Sequence, residues 1–382
     1  MEIIVAGAGF SGLYAVKKLA ELSRKRQDVN IRLFNSTPYT TMLPALPDLA
    51  GGYLQAKYLT EEIHNLINKH VIFHQETIKE FDLHQRRVVT EKDQYPYDNL
   101  IIGTGSITNF FGFDQHLDKV FTLDSLDDAV TLNKSFSDYI NSTNNAHAVV
   151  VGGGYTGLEL ACNLRRLADN HNKQCQISIL ELKQTILPMM PEKIRAHIQQ
   201  QALKNGFNIL TTKTLKRFDG ADVQLSDGST FKNVFVCWTT GTKFAVPEIK
   251  GNFETIRDGR IVVDSKLRIP NHPEVFAVGD AAAIKHGNQY LRKAVNFAID
   301  SGVHAATNIV RTKGNKAVRD FTPRDLGWVI PFGNTAAGVL FNKLKITGSF
   351  PLRLHYFMCG LRNYNIRNRF YFWQHAIRKP KR

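Results

Sequence analysis

The run Met1-Glu2-Ile3-Ile4-Val5-Ala6-Gly7-Ala8-Gly9-Phe10-Ser11-Gly12 decides the fold. Ile3 to Ala6 reads as an apolar strand that enters the turn Gly7-x-Gly9-x-x-Gly12, and Leu13, Val16, Leu19 and Leu22 then recur with helical spacing. Strand, glycine turn and helix make a cradle for a dinucleotide pyrophosphate. Gly7 permits the tight turn, Gly9 lets backbone approach the phosphates, and Gly12 lets helix and strand pack closely. Phe10 and Ser11 open the helix and belong to the same cradle.

The pattern returns after the apolar run Ala148–Val151, as Gly152-Gly153-Gly154-Tyr155-Thr156-Gly157. Gly152, Gly154, Tyr155, Thr156 and Gly157 are its candidate ligand residues. Two cradles on one chain imply two dinucleotides, and the pairing that makes chemical sense is FAD with NAD(P)H. The expected fold class is therefore α/β, with two Rossmann-like dinucleotide-binding domains.

Composition bounds the remaining choices. The chain's 382 residues suffice for two or three domains with sizeable cores. A chain that starts on a core strand is expected to carry no signal peptide. No stretch approaches about 18 consecutive apolar residues, so no transmembrane helix is expected. Cys162, Cys175, Cys237 and Cys359 form no CxxC and read as reduced, buried thiols of a cytosolic protein. The thirteen histidines show no metal-ligand spacing, and no metal is assigned. Ten of the basic residues and no acidic ones follow Asp325, so the tail supplies ten of the fifteen net positive charges. Such asymmetry points to an anionic partner, a membrane surface or nucleic acid.

Each unit carries further signals. The strand Val29–Phe34 ends at Asn35, where an acid normally accepts hydrogen bonds from the adenosine ribose. The corresponding strand of the second unit, Ile177–Leu180, ends at Glu181, which suits a ribose diol and repels a 2′-phosphate; NADH is favoured over NADPH. Two buried strands end in small residues, at Thr104-Gly105 and at Thr239-Thr240-Gly241, where a ligand or backbone approaches closely. Pro273–Val278 delivers Gly279-Asp280, a carboxylate placed for flavin ribitol hydroxyls, and a helix follows from Ala294 with its N-terminus toward the flavin pyrimidine. Thr60 reads as the cap of a short helix over residues 61–68, and residues 190–203 as another helix.

With these parts in place, the chain resembles the two-dinucleotide-fold flavoproteins and, among them, type II NADH:quinone oxidoreductase. The likeness rests on Gly7–Gly12, Asp98–Gly105, Gly152–Glu159, Trp238–Gly241 and Val275–Asp280. It rests also on Phe321–Gly327, Ile330–Gly333 and an aromatic, arginine-rich end reaching Trp373. It implies a discontinuous FAD domain (residues 1–110 and 246–325), an inserted NADH domain (111–245) and a C-terminal membrane-associating helical region (326–382). It implies hydride transfer from NADH to FAD and two electrons onward to a membrane quinone. Glu159 then lies near the two rings and relays a proton; the alternative is that it complements the helix dipole from the first turn. The location implied is the cytoplasmic face of the cell membrane, peripheral, against anionic lipid, with no nucleic acid and with a homodimer left open.

The sequence departs from the family where the quinone is expected. A helix that usually presents three glutamines has Asn296, Asp300 and Ser301 at those positions, and Arg292 and Lys293 replace prolines before it. Lys293, Asn296, Phe297 and Asp300 are the quinone-pocket candidates. A dithiol reductase is disfavoured, since no close cysteine pair follows the first helix. Two further alternatives stand beside the leading reading. One is a flavoprotein with a non-respiratory binding or signalling role; the other is an NADH oxidase or sulfide:quinone oxidoreductase relative with a different acceptor.

Overall fold

The structure is a computed structural model that describes residues 1–245 and 248–377. It resolves into two compact units. The first comprises Met1–Thr40, Glu61–Ile107 and Thr242–Asp325; the second comprises Thr41–Thr60, Thr108–Gly241 and the chain from Leu326 onward.

The first unit is built on a six-stranded sheet. Its order is Arg268–Ile269, His272–Ala277, Asn99–Ile102, Glu2–Ala6, Asn30–Asn35 and Val71–Gln75. All neighbours are parallel except the outer pair 268–269 and 272–277. Ile3 to Ala6 and Leu100 to Ile102 are fully buried, as expected of parallel strands covered on both faces. Helices Phe10–Leu22 and Val295–Lys313 pack against each other here. Their close approach requires Gly302, because a Cβ there would fall 2.0 Å from the Ser11 carbonyl oxygen.

The second unit has a parallel five-stranded sheet ordered Val120–Phe121, Val234–Trp238, Ala146–Val151, Cys175–Glu181 and Asn208–Thr211. The central strand 146–151 is buried throughout. Helix Leu126–Ser142 starts on a capping box between Ser125 and Asp128, which satisfies otherwise orphaned backbone donors.

Several expectations change. Residues 60–68 do not form a helix capped by Thr60: Thr60–Glu62 is a strand and Ile63–Asn65 a single 3₁₀ turn. Nor is the region after Asp325 helical throughout. Gly327–Phe332, Thr335–Leu340 and Leu344–Gly348 form an antiparallel meander before helices Ser349–Arg362 and Ile366–Ile377 begin. The Gly333-Asn334 pair that joins the first hairpin is a turn signal the basic, aromatic composition masks. Within the aromatic, arginine-rich end expected to associate with a membrane, Tyr356 and Phe372 are buried core residues. Arg378, counted with the tail arginines, lies outside the described residues.

Candidate functional site

In the first unit, Ala6, Ile102 and Ala277 stand side by side in register, so their strands end together and deliver three loops to one edge. That edge, at the carboxyl ends of parallel strands, is where open α/β sheets bind ligands. Gly7 (φ +94°) turns the first loop, and its N–H donates to Phe34 O at 2.8 Å. A Cβ on Gly12 would sit 1.8 Å from the Gly7 carbonyl oxygen, so the third glycine is sterically required. Gly9 caps the helix without any side-chain bond, and the space beside it is open. Asn35 Oδ1 accepts the Ala8 N–H at 2.9 Å, while its amide nitrogen donates to Thr37.

The second loop places Thr104 and Gly105. Thr104 Oγ1 is buried without a partner among the described residues, and Gly105 (φ +82°) has open space where a side chain would be. The third loop places Gly279 (φ +60°) and Asp280. The Gly279 N–H donates to Ser301 Oγ at 2.9 Å, and Ser106 Oγ donates to Asp280 at 3.2 Å. Burial holds the Asp280 carboxyl above its ordinary value against the pull of Lys293; burial also lowers the Lys293 ammonium. An open helix N-terminus, an orphaned hydroxyl and two uncovered glycines fit a dinucleotide.

Among the quinone-pocket candidates, Lys293 and Phe297 line a cavity with Asp280, Leu291 and Ala294. Lys293 also donates to Thr242. Asn296 is buried, and its amide donates to Arg324 O at 2.7 Å; Asp300 is partly exposed on the same helix. Ser301 is fully buried and serves the Gly279 turn.

The second unit repeats the cradle. Gly152 (φ +118°) turns, a Cβ on Gly157 would meet Gly152 O at 1.9 Å, and Gly154 is uncovered at the helix start. Tyr155 and Thr156 are exposed in the first turn. Glu181 Oε2 accepts the Gly153 N–H at 3.1 Å, and its other oxygen accepts the Lys183 N–H at 2.8 Å. At Gly241 (φ +67°) the close approach is made by protein: a Cβ there would lie 2.4 Å from the Phe111 ring.

The first turn of helix Tyr155–Asn170 carries no acidic residue and Glu159 lies beyond it, so dipole complementation is not its role. It is only 8% exposed. Its neighbours escaped the sequence reading. Asp48 and His355 bring donor atoms that all lie within 4.8 Å of one another and of Glu159. Tyr356 OH donates to Asp48 at 3.1 Å, and the Arg166 guanidinium stands 3.9 Å from the same carboxylate oxygen. Burial, then the nearby Asp48 charge, holds the Glu159 carboxyl well above its ordinary range; burial raises Asp48 against the pull of Arg166. Burial, with the Arg362 charge, pushes His355 down to about 4 and so favours its neutral form. The sequence signal for Asp48 is a single acid inside the apolar run Leu46–Ala50. His355 and Tyr356 sit three hundred residues away in the chain.

All four cysteines are free and buried, and burial pushes the Cys359 thiol up to about 12, the reverse of what a redox thiol needs.

Two glycine cradles on two parallel sheets define a two-dinucleotide oxidoreductase. The chain belongs to the pyridine nucleotide-disulphide oxidoreductase family, whose model matches residues 1–305. Among curated proteins it is similar to the type II NADH:quinone oxidoreductase of Staphylococcus haemolyticus, 26% identical over 370 residues and covering 91% of each chain. The Staphylococcus aureus protein of that name is likewise 26% identical, over 90% of each. Among solved structures, NDH2 from Plasmodium falciparum in complex with NADH superposes with a TM-score of 0.83 at 18% identity, covering 98% of this chain and 97% of that one. The sulfide:quinone oxidoreductase of Aquifex aeolicus gives a TM-score of 0.80 at 18% identity, covering 96% and 92%.

Proposed function

We propose that the chain is a non-proton-pumping NADH:quinone oxidoreductase that holds FAD in its first unit and NADH in its second. When bound, FAD supplies the two-electron chemistry, accepting hydride from NADH and passing two electrons to a quinone. The observation that carries the reading is the pair of cradles with different strand-end residues, Asn35 in one and Glu181 in the other.

The protein's own contribution is binding, alignment and proton supply. Backbone donors at Gly9, Phe10 and Ser11 receive the FAD pyrophosphate, Thr104 gains a partner for its hydroxyl, and Asp280 takes ribitol hydroxyls. Lys293 and the N-terminus of helix Val295–Lys313 place positive charge where a reduced flavin develops negative charge. Glu181 takes the NADH ribose diol. Glu159 holds the proton that quinone reduction consumes. Asn296, Phe297 and Asp300 belong to the helix that receives the quinone, and Lys293 stands just before it.

No helix among the described residues is long and apolar enough to cross a membrane. The two C-terminal helices expose Phe350, Phe357, Leu361, Ile366 and Phe370 beside Arg353 and Arg367. This mixture supports a peripheral seat on anionic lipid, at the cytoplasmic face, where bilayer quinone is at hand. Steady-state NADH oxidation with a soluble quinone tests the reading. Rapid turnover is expected; slow flavin reduction without quinone-dependent turnover would favour a binding or signalling flavoprotein.

A further inference from the structure

Asp48 and Glu159 are both at least nine-tenths buried, and carboxylate oxygens of the two lie within 4.8 Å. Asp48 Oδ2 and Glu159 Oε1 have no hydrogen-bond partner among the described residues. Two ionised carboxylates left this way, buried and facing like charge, are strongly disfavoured. One added proton removes the like-charge repulsion and leaves a single buried charge, which Arg166 faces.

The surrounding groups decide where the proton resides. Arg166 and the Tyr356 hydroxyl both address Asp48 Oδ1 and favour its ionised form. Arg166 is fixed by its bond to Asn163 Oδ1 at 3.0 Å and by the Tyr53 ring, 4.2 Å from the guanidinium carbon. Asn163 donates its amide to the Glu159 backbone carbonyl at 3.1 Å and also addresses Asp48, again favouring the ionised form of Asp48 and not of Glu159. Burial disfavours the charged form of His355, and Cys162 and Cys359 are buried thiols that bring no positive charge.

We infer that Asp48 and Glu159 form a single-proton carboxyl pair, in which Asp48 is a positioning residue that keeps Glu159 protonated at neutral pH. The net reaction NADH + H⁺ + quinone → NAD⁺ + quinol consumes one proton. In turnover the Glu159 O–H bond breaks as its proton goes to meet that demand, and water returns one to the pair. Only this use rests on the proposed function; the shared proton does not.

Tyr356 lies on helix Ser349–Arg362, so the C-terminal region takes part in setting the pair.

Infrared spectroscopy of the FAD-loaded protein across pH tests this. The protonated-carboxyl C=O band is expected to persist through neutral pH in wild type and to vanish in Glu159→Gln. In Asp48→Asn the repelling charge is gone, and the band's midpoint should move by about one pH unit or more toward acid. Asp48→Glu should restore it. Thermal stability gives a second readout. A carboxyl raised on folding stabilises the fold below its unfolded value, and that stability is lost as pH rises toward the folded value. Wild type should therefore lose stability over that window, and Glu159→Gln should lose less. A wild-type protein with no such band at neutral pH, a midpoint unmoved by Asp48→Asn, or a stoichiometric bound divalent metal would overturn the pair. The predicted band behaviour with unchanged quinone turnover in Glu159→Gln supports the pair and rejects the relay.

Discussion

Asn35 Oδ1 accepts the backbone N–H of Ala8 at 2.9 Å, fastening the end of one strand to the glycine turn of the next. Glu181 does the same for Gly153 in the other unit. The amide thus keeps the structural half of the strand-end residue's work while forgoing its charge. Asn35→Ala should loosen the first cradle. Losing one such bond costs about 1 kcal/mol, or roughly fivefold in FAD affinity, readable by flavin fluorescence titration. Asn35→Asp keeps an acceptor for Ala8 but loses the donations to Thr37, and should fall between.

Glu181 should set nucleotide choice. Its carboxylate faces like charge in a 2′-phosphate, so kcat/KM is expected to favour NADH. Glu181→Ala should narrow the ratio chiefly by improving NADPH. Because Glu181 also holds Gly153 and Lys183, the variant should lose some NADH affinity as well. Equal kcat/KM for the two nucleotides in wild type rejects the assignment.

Much of this was legible in the sequence, for a physical reason. Glycine turns are largely local: the positive φ of Gly7 and Gly152, and the close approach of Gly12 to Gly7 and of Gly157 to Gly152, are set within a few residues, so spacing reveals them. The Asp48–Glu159–His355 cluster is not local. It depends on a five-residue helix meeting the C-terminal helix, and no periodicity encodes that encounter. The inward side chains of the tail were not legible, because composition cannot tell an exposed Phe357 from a buried Phe372 on helices of mixed character.

That distinction changes how the tail should be tested. Removing it would also remove Tyr356 and Phe372 from the core. Phe372→Ala alone should cost about 3–5 kcal/mol, seen as a lower thermal midpoint. Serine at the exposed Phe350, Phe357, Ile366 and Phe370 should leave the midpoint nearly unchanged and weaken flotation with anionic liposomes. Undiminished flotation at matched salt would remove the lipid-facing assignment.

The quinone helix yields a split expectation. Asn296 is buried and tied to Arg324, so Asn296→Gln overpacks the site at a cost of about 1–3 kcal/mol. Asp300 is partly exposed, and Asp300→Gln should alter quinone KM without changing NADH-driven flavin reduction. A double variant identical to wild type with every quinone tried places the acceptor elsewhere.

The most direct measurement is anaerobic double-mixing stopped flow on the FAD-loaded protein. NADH should bleach the flavin absorbance, and a second mix with quinone should restore it at least as fast as steady-state turnover. Flavin that stays bleached with quinone, or recovers no faster than in its absence, would contradict the account.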